Sequence, residues 1–331
     1  MSNLPPGFLT ELVTGQFRTL PVPTTDYTGK TIIVTGGSGG IGLECARHFT
    51  RLGAQKVVIA CRNTEQGEAA KQDIETSTST REVVEVWPLD LTSFESVKAF
   101  CRRADTTLDR LDVLLENAGV FVSEFALLAE AEGHETTVTV NVLSTFLMAV
   151  LLLPKLRATA ARFNVTPHLT IVGSDAHYYA KFPERNEPNI FEALKRSTPD
   201  ALVERYNVSK LLSVLLTRQL AQRCLATGNA AVVINTANPG FCRSKLFRNL
   251  PGVLDVVART LMFLFARTNE MGARALLAAA DGPHGAFVMN CKVVQPSLFV
   301  TSEEGERVGE RLWDELVGIL EVVEPGVTGN I

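Results

Sequence analysis

Tyr206 and Lys210 carry the most specific chemical signal in this chain, in the stretch Tyr206-Asn207-Val208-Ser209-Lys210. On a helix, residues four apart share a face, so the phenol and the ammonium point into one site. A free phenol has a pKa of about 10, poorly matched to acid–base exchange near neutrality. A cation beside it favours phenolate, and each unit of depression is worth about 1.4 kcal/mol. Lys210 is therefore expected to tune Tyr206 as a proton donor and acceptor.

A second signal is the run Thr35-Gly36-Gly37-Ser38-Gly39-Gly40-Ile41-Gly42, placed between an apolar β-branched run and an amphipathic stretch. Glycine permits a tight turn and lets the backbone approach a pyrophosphate, which the free N–H groups of a following helix would bind. The spacing of Gly36, Gly40 and Gly42 departs from GxGxxG and resembles the TGxxxGxG signature of the short-chain dehydrogenase/reductase family. The Tyr206/Lys210 pair is similar to that family's YxxxK, and it lies between the fifth and sixth predicted strands, where the family places it.

The resemblance extends from about Lys30 to Asn290 and implies roles for further residues. Ser174, ending the run Ile171-Val172-Gly173-Ser174, matches the catalytic serine that holds the substrate oxygen. Asn141 matches the helix asparagine that supports a water linked to the lysine. Together with Tyr206 and Lys210 they complete the family's tetrad in its order. Asp90 and Leu91 resemble the pair beside the adenine, and Asn117-Ala118-Gly119 resembles the NAG that lines the cofactor. Pro239-Gly240-Phe241-Cys242-Arg243-Ser244 resembles the PGxxxT that contacts the nicotinamide carboxamide. Ser38, Gly39 and Ile41 fall within the glycine turn. The wording IACRN, LDLTS and NPGFCRS looks most like the retinol-dehydrogenase-like branch. Departures are Glu116 before the NAG, Ser244 for threonine, Gly173 before Ser174, and a long gap between Ser174 and Tyr206.

The tip of the second predicted strand bears on cofactor choice. An acidic residue there would bind the ribose 2′-hydroxyl of NAD, whereas arginine accommodates a 2′-phosphate. Here the residues are Ala60-Cys61-Arg62-Asn63, so NADP(H) is the expected cofactor, with Arg62 and Asn63 beside the ribose.

The elements that must position these groups are legible as strand-like runs followed by helical ones. Strands are expected at 30–35, 56–60, 83–87, 111–115, 168–172, 231–235 and 286–290, with helices between them and a last helix at 304–320. Such alternation implies an α/β fold with a single doubly wound parallel sheet of Rossmann type and helices on both faces. The expected organisation is an N-terminal extension over residues 1–28 and one domain over 29–331. That domain would carry a cleft insert at 175–204 and a substrate lid at 240–268.

Composition narrows the class. The 331 residues are 46% hydrophobic and 21% charged, with a formal net charge of -4, as expected of a globular chain and not of a nucleic-acid binder. The apolar run Phe146–Leu153 is too short to cross a bilayer. Cys45, Cys61, Cys101, Cys224, Cys242 and Cys291 form no CxxC pair and the histidines no HExxH, so no metal site is expected and a cytoplasmic location is. Leu147, Val150, Leu151, Leu212, Leu215 and Leu216 suit either a homodimer face or the core. The apolar residues after Gly240, with Tyr178, Tyr179 and Phe182, suggest a hydrophobic small-molecule substrate such as a natural-product ketone. The expected activity is an NADPH-dependent reductase of ketones and secondary alcohols. Alternatives are a redox-neutral isomerase, cyclase or dehydratase, or a non-catalytic NADP-binding protein.

Overall fold

The computed structural model of the chain describes residues 4–122, 124–197, 201–228, 231–243 and 265–331. Its strands are β1 (Thr31–Thr35), β2 (Lys56–Cys61), β3 (Val84–Pro88), β4 (Val113–Glu116), a small hairpin of β5 (Leu127–Leu128) and β6 (His134–Glu135), then β7 (His168–Val172), β8 (Val233–Asn238), β9 (Phe287–Met289) and β10 (Lys292–Val294). Apart from the hairpin they form one sheet in the order β10-β9-β8-β7-β4-β1-β2-β3. All neighbours in it are parallel except β9 and β10. The doubly wound parallel sheet is thus present.

Both faces of this sheet are covered, as continuous apolar strands require. Side chains alternate: Ile33 and Leu114 face one core, while Ile32, Val34, Val113 and Leu115 face the other. The first core is closed by α4 (Phe94–Thr107), α6 (Ser144–Phe163), α8 (Ala201–Ala226) and α10 (Glu303–Val323); the second by α2 (Gly40–Arg51), α3 (Thr64–Thr78) and α9 (Asn269–Ala280). Two shorter helices, α5 (Thr136–Val138) and α7 (Ile190–Leu194), and the N-terminal α1 (Phe8–Gln16) are the other α-helices among the described residues.

Three expectations need correction. The strand expected at 231–235 runs over Val233–Asn238 because its polar residues are paired internally: Asn235 Nδ2 donates to the Ala279 carbonyl at 2.7 Å and Thr170 Oγ1 to Asn235 Oδ1 at 2.9 Å. The antiparallel β10 was not foreseen; its turn is Asn290-Cys291, both in the left-handed region at φ 53° and 61°, as a tight hairpin demands. Finally, the apolar segment around Phe146 belongs to a 28-residue helical stretch, Thr136–Phe163, of mean hydropathy 2.0, long and apolar enough to cross a membrane. Its most apolar window is 89% buried inside the chain, which makes it the central core helix.

Leu147, Val150, Leu212, Leu215 and Leu216 lie in the core, so they pack within the chain and are not available as a dimer face. Glu116, at the end of β4, is buried, with neither carboxylate oxygen partnered among the described residues. Burial pushes its pKa well above the carboxylate range. The folded state therefore holds a proton that the unfolded chain releases above about pH 4, and stability falls as pH rises through that window. Glu116→Met is expected to raise the unfolding free energy from urea melts near pH 8 by an amount on the order of 1–3 kcal/mol, and by less near pH 5. An equal gain at both values would show that Glu116 is ionised in place.

Candidate active site

The residues singled out in the sequence converge because they follow the carboxyl ends of successive strands. The glycine turn follows β1, Arg62 and Asn63 follow β2, Asp90 and Leu91 follow β3, Asn117-Ala118-Gly119 follows β4, Ser174 follows β7 and Pro239-Gly240 follows β8. Open α/β sheets bind ligands at this edge, where strand order reverses, here between β1 and β4. The resulting cleft has a volume of about 870 Å³ and takes in Gly36, Ser38, Gly39, Gly40, Ile41, Arg62, Asn63, Asp90, Leu91, Asn117, Ala118, Gly119, Ser174, Tyr206, Lys210, Pro239, Gly240 and Cys242. Gly42 and Asn141 stand immediately behind its wall. Ser244, and the lid residues Leu246 to Phe263, lie outside the described residues.

The nucleotide end is built by close backbone approach. Gly36 has φ +68°, and its N–H donates to the Ala60 carbonyl at 2.7 Å. A Cβ at Gly42 would lie 2.5 Å from the Gly36 carbonyl oxygen, so the helix meets the turn only with glycine there. Asn117 Nδ2 donates to Thr35 O, and the Ala118 N–H to Thr35 Oγ1, both at 2.9 Å, locking the β4 turn to the β1 turn. The N-terminus of α2 has no side-chain cap, and a Cβ at Gly39 or Gly40 would enter open space. Uncapped amides over an open glycine cradle fit the pyrophosphate of a dinucleotide. Asn63 is engaged structurally, its Oδ1 capping α3 through Gln66 N at 2.9 Å. Asp90 Oδ1 accepts from Thr92 N at 2.9 Å and from Thr92 Oγ1 at 2.7 Å. No carboxylate stands at the tip of β2, where exposed Arg62 projects beside the cleft.

At the other end, α8 presents Tyr206 and Lys210 one turn apart. Lys210 is buried, and its Nζ donates to the Val172 carbonyl at 2.8 Å. Burial lowers its pKa to about 8. The Tyr206 ring packs edge-on against Phe121, with centroids 5.5 Å apart, and Lys210 Nζ sits 5.9 Å from the tyrosine centroid. Burial raises the Tyr206 pKa, the Ser174 hydroxyl draws it down, and the charge of Asp175 adds to the rise. The expected depression by Lys210 is therefore outweighed within the chain itself: desolvation drives both groups toward their neutral forms.

Asn141 occupies a π-helical turn, Thr139–Leu143, between α5 and α6. Its Oδ1 accepts from Val120 N at 2.8 Å, while its Nδ2 donates to Val120 O and to Ser209 Oγ, each at 3.0 Å. A Cβ at Gly119 would meet Asn141 Oδ1 at 3.2 Å and Lys210 Nζ at 3.6 Å, so the small residue lets these two groups approach across it. Ser174 Oγ donates to Asp175 Oδ1 and accepts from Ala176 N, both at 3.1 Å.

The long insert is ordered chiefly by burial. His177 Nδ1–H donates to the Ser174 carbonyl at 2.6 Å, and the Ser297 N–H donates to His177 Nε2 at 3.1 Å. Of Tyr178, Tyr179 and Phe182, the insert aromatics expected to wall the cleft, Tyr179 alone lines it. Tyr178 packs on Phe8, centroids 4.0 Å apart, and Phe182 is buried in the core. Phe121, Val122, Val203 and Phe241 are among the other apolar residues that line it. Residues 1–28 include a further element that the sequence did not place. Gln16 Nε2, on α1, donates to the Phe241 and Phe265 carbonyls at 2.6 and 2.8 Å, and its Oε1 accepts from Phe241 N at 3.2 Å. Arg267 joins the same junction through Gln16 O at 3.1 Å, Asn290 Oδ1 at 2.6 Å and the Gly15 carbonyl. Asp175, directly after the candidate serine, also lines the cleft and was not singled out in the sequence.

A glycine-cradled nucleotide end joined to a tyrosine–lysine–serine group on a parallel sheet defines an oxidoreductase of the nicotinamide-dependent kind. Residues 30–163 match the short chain dehydrogenase family. The short chain dehydrogenase/reductase dmxR8 of Cryptosporiopsis sp. is 41% identical over 322 residues, covering 95% of this chain and 97% of that relative. The short-chain dehydrogenase anuD of Penicillium roqueforti is 38% identical, covering 93% and 81%. Among solved structures, the Pseudomonas aeruginosa RhlG/NADP active-site complex superposes with a TM-score of 0.58 at 25% identity, over 81% of this chain and 96% of that one. A short-chain dehydrogenase/reductase of Caenorhabditis elegans with cofactor gives 0.60 at 21%, over 80% and 94%, and supports the fold. The chain belongs to the short-chain dehydrogenase/reductase family.

Proposed function

We propose that the chain is an NADPH-dependent reductase that interconverts a ketone and a secondary alcohol on a hydrophobic small molecule, such as a natural-product intermediate. The observation that carries this reading is the placement of Tyr206, Ser174 and Lys210 on one cleft, beside an uncapped glycine cradle and an arginine in place of a strand-tip acid. When bound, the nicotinamide supplies the hydride and, once oxidised, a positive charge beside the phenol. Tyr206 would donate its proton to the substrate oxygen, which Ser174 holds, while Lys210 anchors the ribose and favours phenolate afterwards. Asn141, tied to Val120 and Ser209, would hold the lysine end of the site. Cys242, which lines the cleft, would border the carboxamide. The apolar lining of Phe121, Val122 and Phe241 suits a substrate with little charge.

The reading includes one domain over residues 29–331, a cytoplasmic location in keeping with six free cysteines, and a homodimer on family resemblance alone. Purified protein is expected to oxidise NADPH in the presence of apolar ketones and to prefer it over NADH. In Arg62→Asp the ratio of kcat/KM for the two cofactors should fall by a factor on the order of tenfold or more, since one charge-assisted phosphate contact is worth about 1.5–3 kcal/mol. An unchanged ratio would remove Arg62 from the ribose site.

A further inference from the structure

We propose that Asp175 is a proton-holding residue of this site, and that Tyr206, Ser174 and Asp175 form a chain that returns a proton to the tyrosine without passing through Lys210. The inference rests on the reductase reading for its use in turnover. Its geometry stands separately. Ser174 Oγ is the middle member: it lies 3.1 Å from Asp175 Oδ1, donating to it when Asp175 is a carboxylate and accepting from it, with its own proton turned to Tyr206, when Asp175 is protonated; its hydroxyl also hydrogen-bonds Tyr206. Asp175 and Ser174 both line the cleft with Tyr206, so the outer end of the chain meets the volume that solvent enters.

The surroundings leave Asp175 as the member that changes charge. The groups facing it are Tyr178 and Tyr179 on its own turn, Tyr206 on α8, and Cys242 and Arg267 beyond β8. The three phenols are all raised by burial, so at rest they hold their protons, and the Cys242 thiol is pushed up to about 12. Arg267 keeps its charge, tied to the Gly15, Gln16 and Pro239 carbonyls and to Asn290. Burial raises the Asp175 carboxyl, while Ser174 and the amides of Asp175 and Ala176 partly offset that rise. Burial thus makes the Asp175 carboxyl hold its proton more firmly than a solvated carboxyl does, beside a hydroxyl that can take it.

The step balances as three O–H exchanges. As reduction proceeds, the Tyr206 O–H bond breaks and its proton goes to the substrate oxygen. The Ser174 proton then moves to the phenolate oxygen, and the Asp175 carboxyl proton moves to the serine oxygen. Asp175, left as carboxylate, takes a proton from water in the cleft. No electrons move along this chain, and oxidation of the alcohol runs it backwards.

Two measurements test the chain. The Tyr206 phenol is titrated by ultraviolet difference absorbance in the complex with NADP+, using Tyr206→Phe as the blank. Asp175→Asn should lower the Tyr206 pKa, because a negative charge that opposes phenolate is gone, and Asp175→Glu should restore it. An unmoved titration overturns the proposal. In turnover of NADPH with a ketone that the wild type reduces, Asp175→Asn should lower kcat about tenfold with the KM for NADPH unchanged, lose an ionisation from the pH profile, and regain rate as Asp175→Glu. A wild-type rate and profile in Asp175→Asn also overturns it, and leaves the reductase reading intact. A moved titration in a protein that reduces no ketone supports the Asp175 chain while removing the reductase reading.

Discussion

Tyr206→Phe is expected to lower kcat by about 10²–10⁴-fold, the range associated with one positioned general acid, while NADPH binding changes by less than about threefold. The substitution removes only the hydroxyl. The ring keeps its edge-on contact with Phe121 at a centroid distance of 5.5 Å, so the cleft retains its shape. Lys210 keeps its bond to the Val172 carbonyl, which does not depend on the phenol. Fluorescence titration with NADPH and steady-state rates on the same preparations separate the two effects. A variant that turned over like the wild type would show that the proton comes from another group, and the reductase mechanism would fail with it.

The second large effect is on stability in acid. His177 is buried with both ring nitrogens engaged: Nδ1–H donates to Ser174 O, and Nε2 accepts from the Ser297 N–H. A proton on Nε2 would break the second bond. Burial holds its pKa near 4, against an unfolded value of about 6.5. Between those values the unfolded chain binds more protons, so the contribution of His177 is complete above about pH 6.5 and is lost as pH falls toward 4. The whole loss is about 3 kcal/mol, of which roughly 2 kcal/mol is gone by pH 5. His134, held near 4 by burial and by Lys195, acts in the same sense. Glu116 acts on stability in the opposite sense, so the histidine is read by difference. Urea melts at about pH 7 and 5 should show a steeper loss for the wild type than for His177→Gln, and parallel losses would mean that His177 does not carry the effect.

The sheet was legible because its strands are covered on both faces, and such strands read as unbroken β-branched runs, as in Ile32-Ile33-Val34 and Val57-Val58-Ile59. Where the pattern misled, polar residues had found partners that no local pattern reveals. Asn235 sits inside β8 because Ala279 and Thr170 satisfy it from other elements. The glycine turn and the Tyr206/Lys210 pair were also readable, since their chemistry depends on spacing within one short segment. Protonation was not: the phenol's pKa is set by burial, Ser174 and Asp175, which arise from tertiary packing. The substrate walls were the least legible. Tyr178 and Tyr179 are neighbours of one type, yet one is buried against Phe8 and the other faces the cleft.

The junction made by Gln16 has a consequence for the order in which the protein is assembled. Gln16 bonds a residue 225 positions later, and the Arg267 bonds to the same helix span 251 and 252 positions. At synthesis rates of about 5–20 residues per second, the first helix is made roughly ten to fifty seconds before its partners exist. Through that interval Phe8 lacks the ring of Tyr178 for most of the time, and Gln16 has no backbone to bind. The rim of the cleft is thus among the last parts of the molecule to close, after the strands that carry the nucleotide end have paired. Contacts of such long sequence separation form slowly, so α1 docks late.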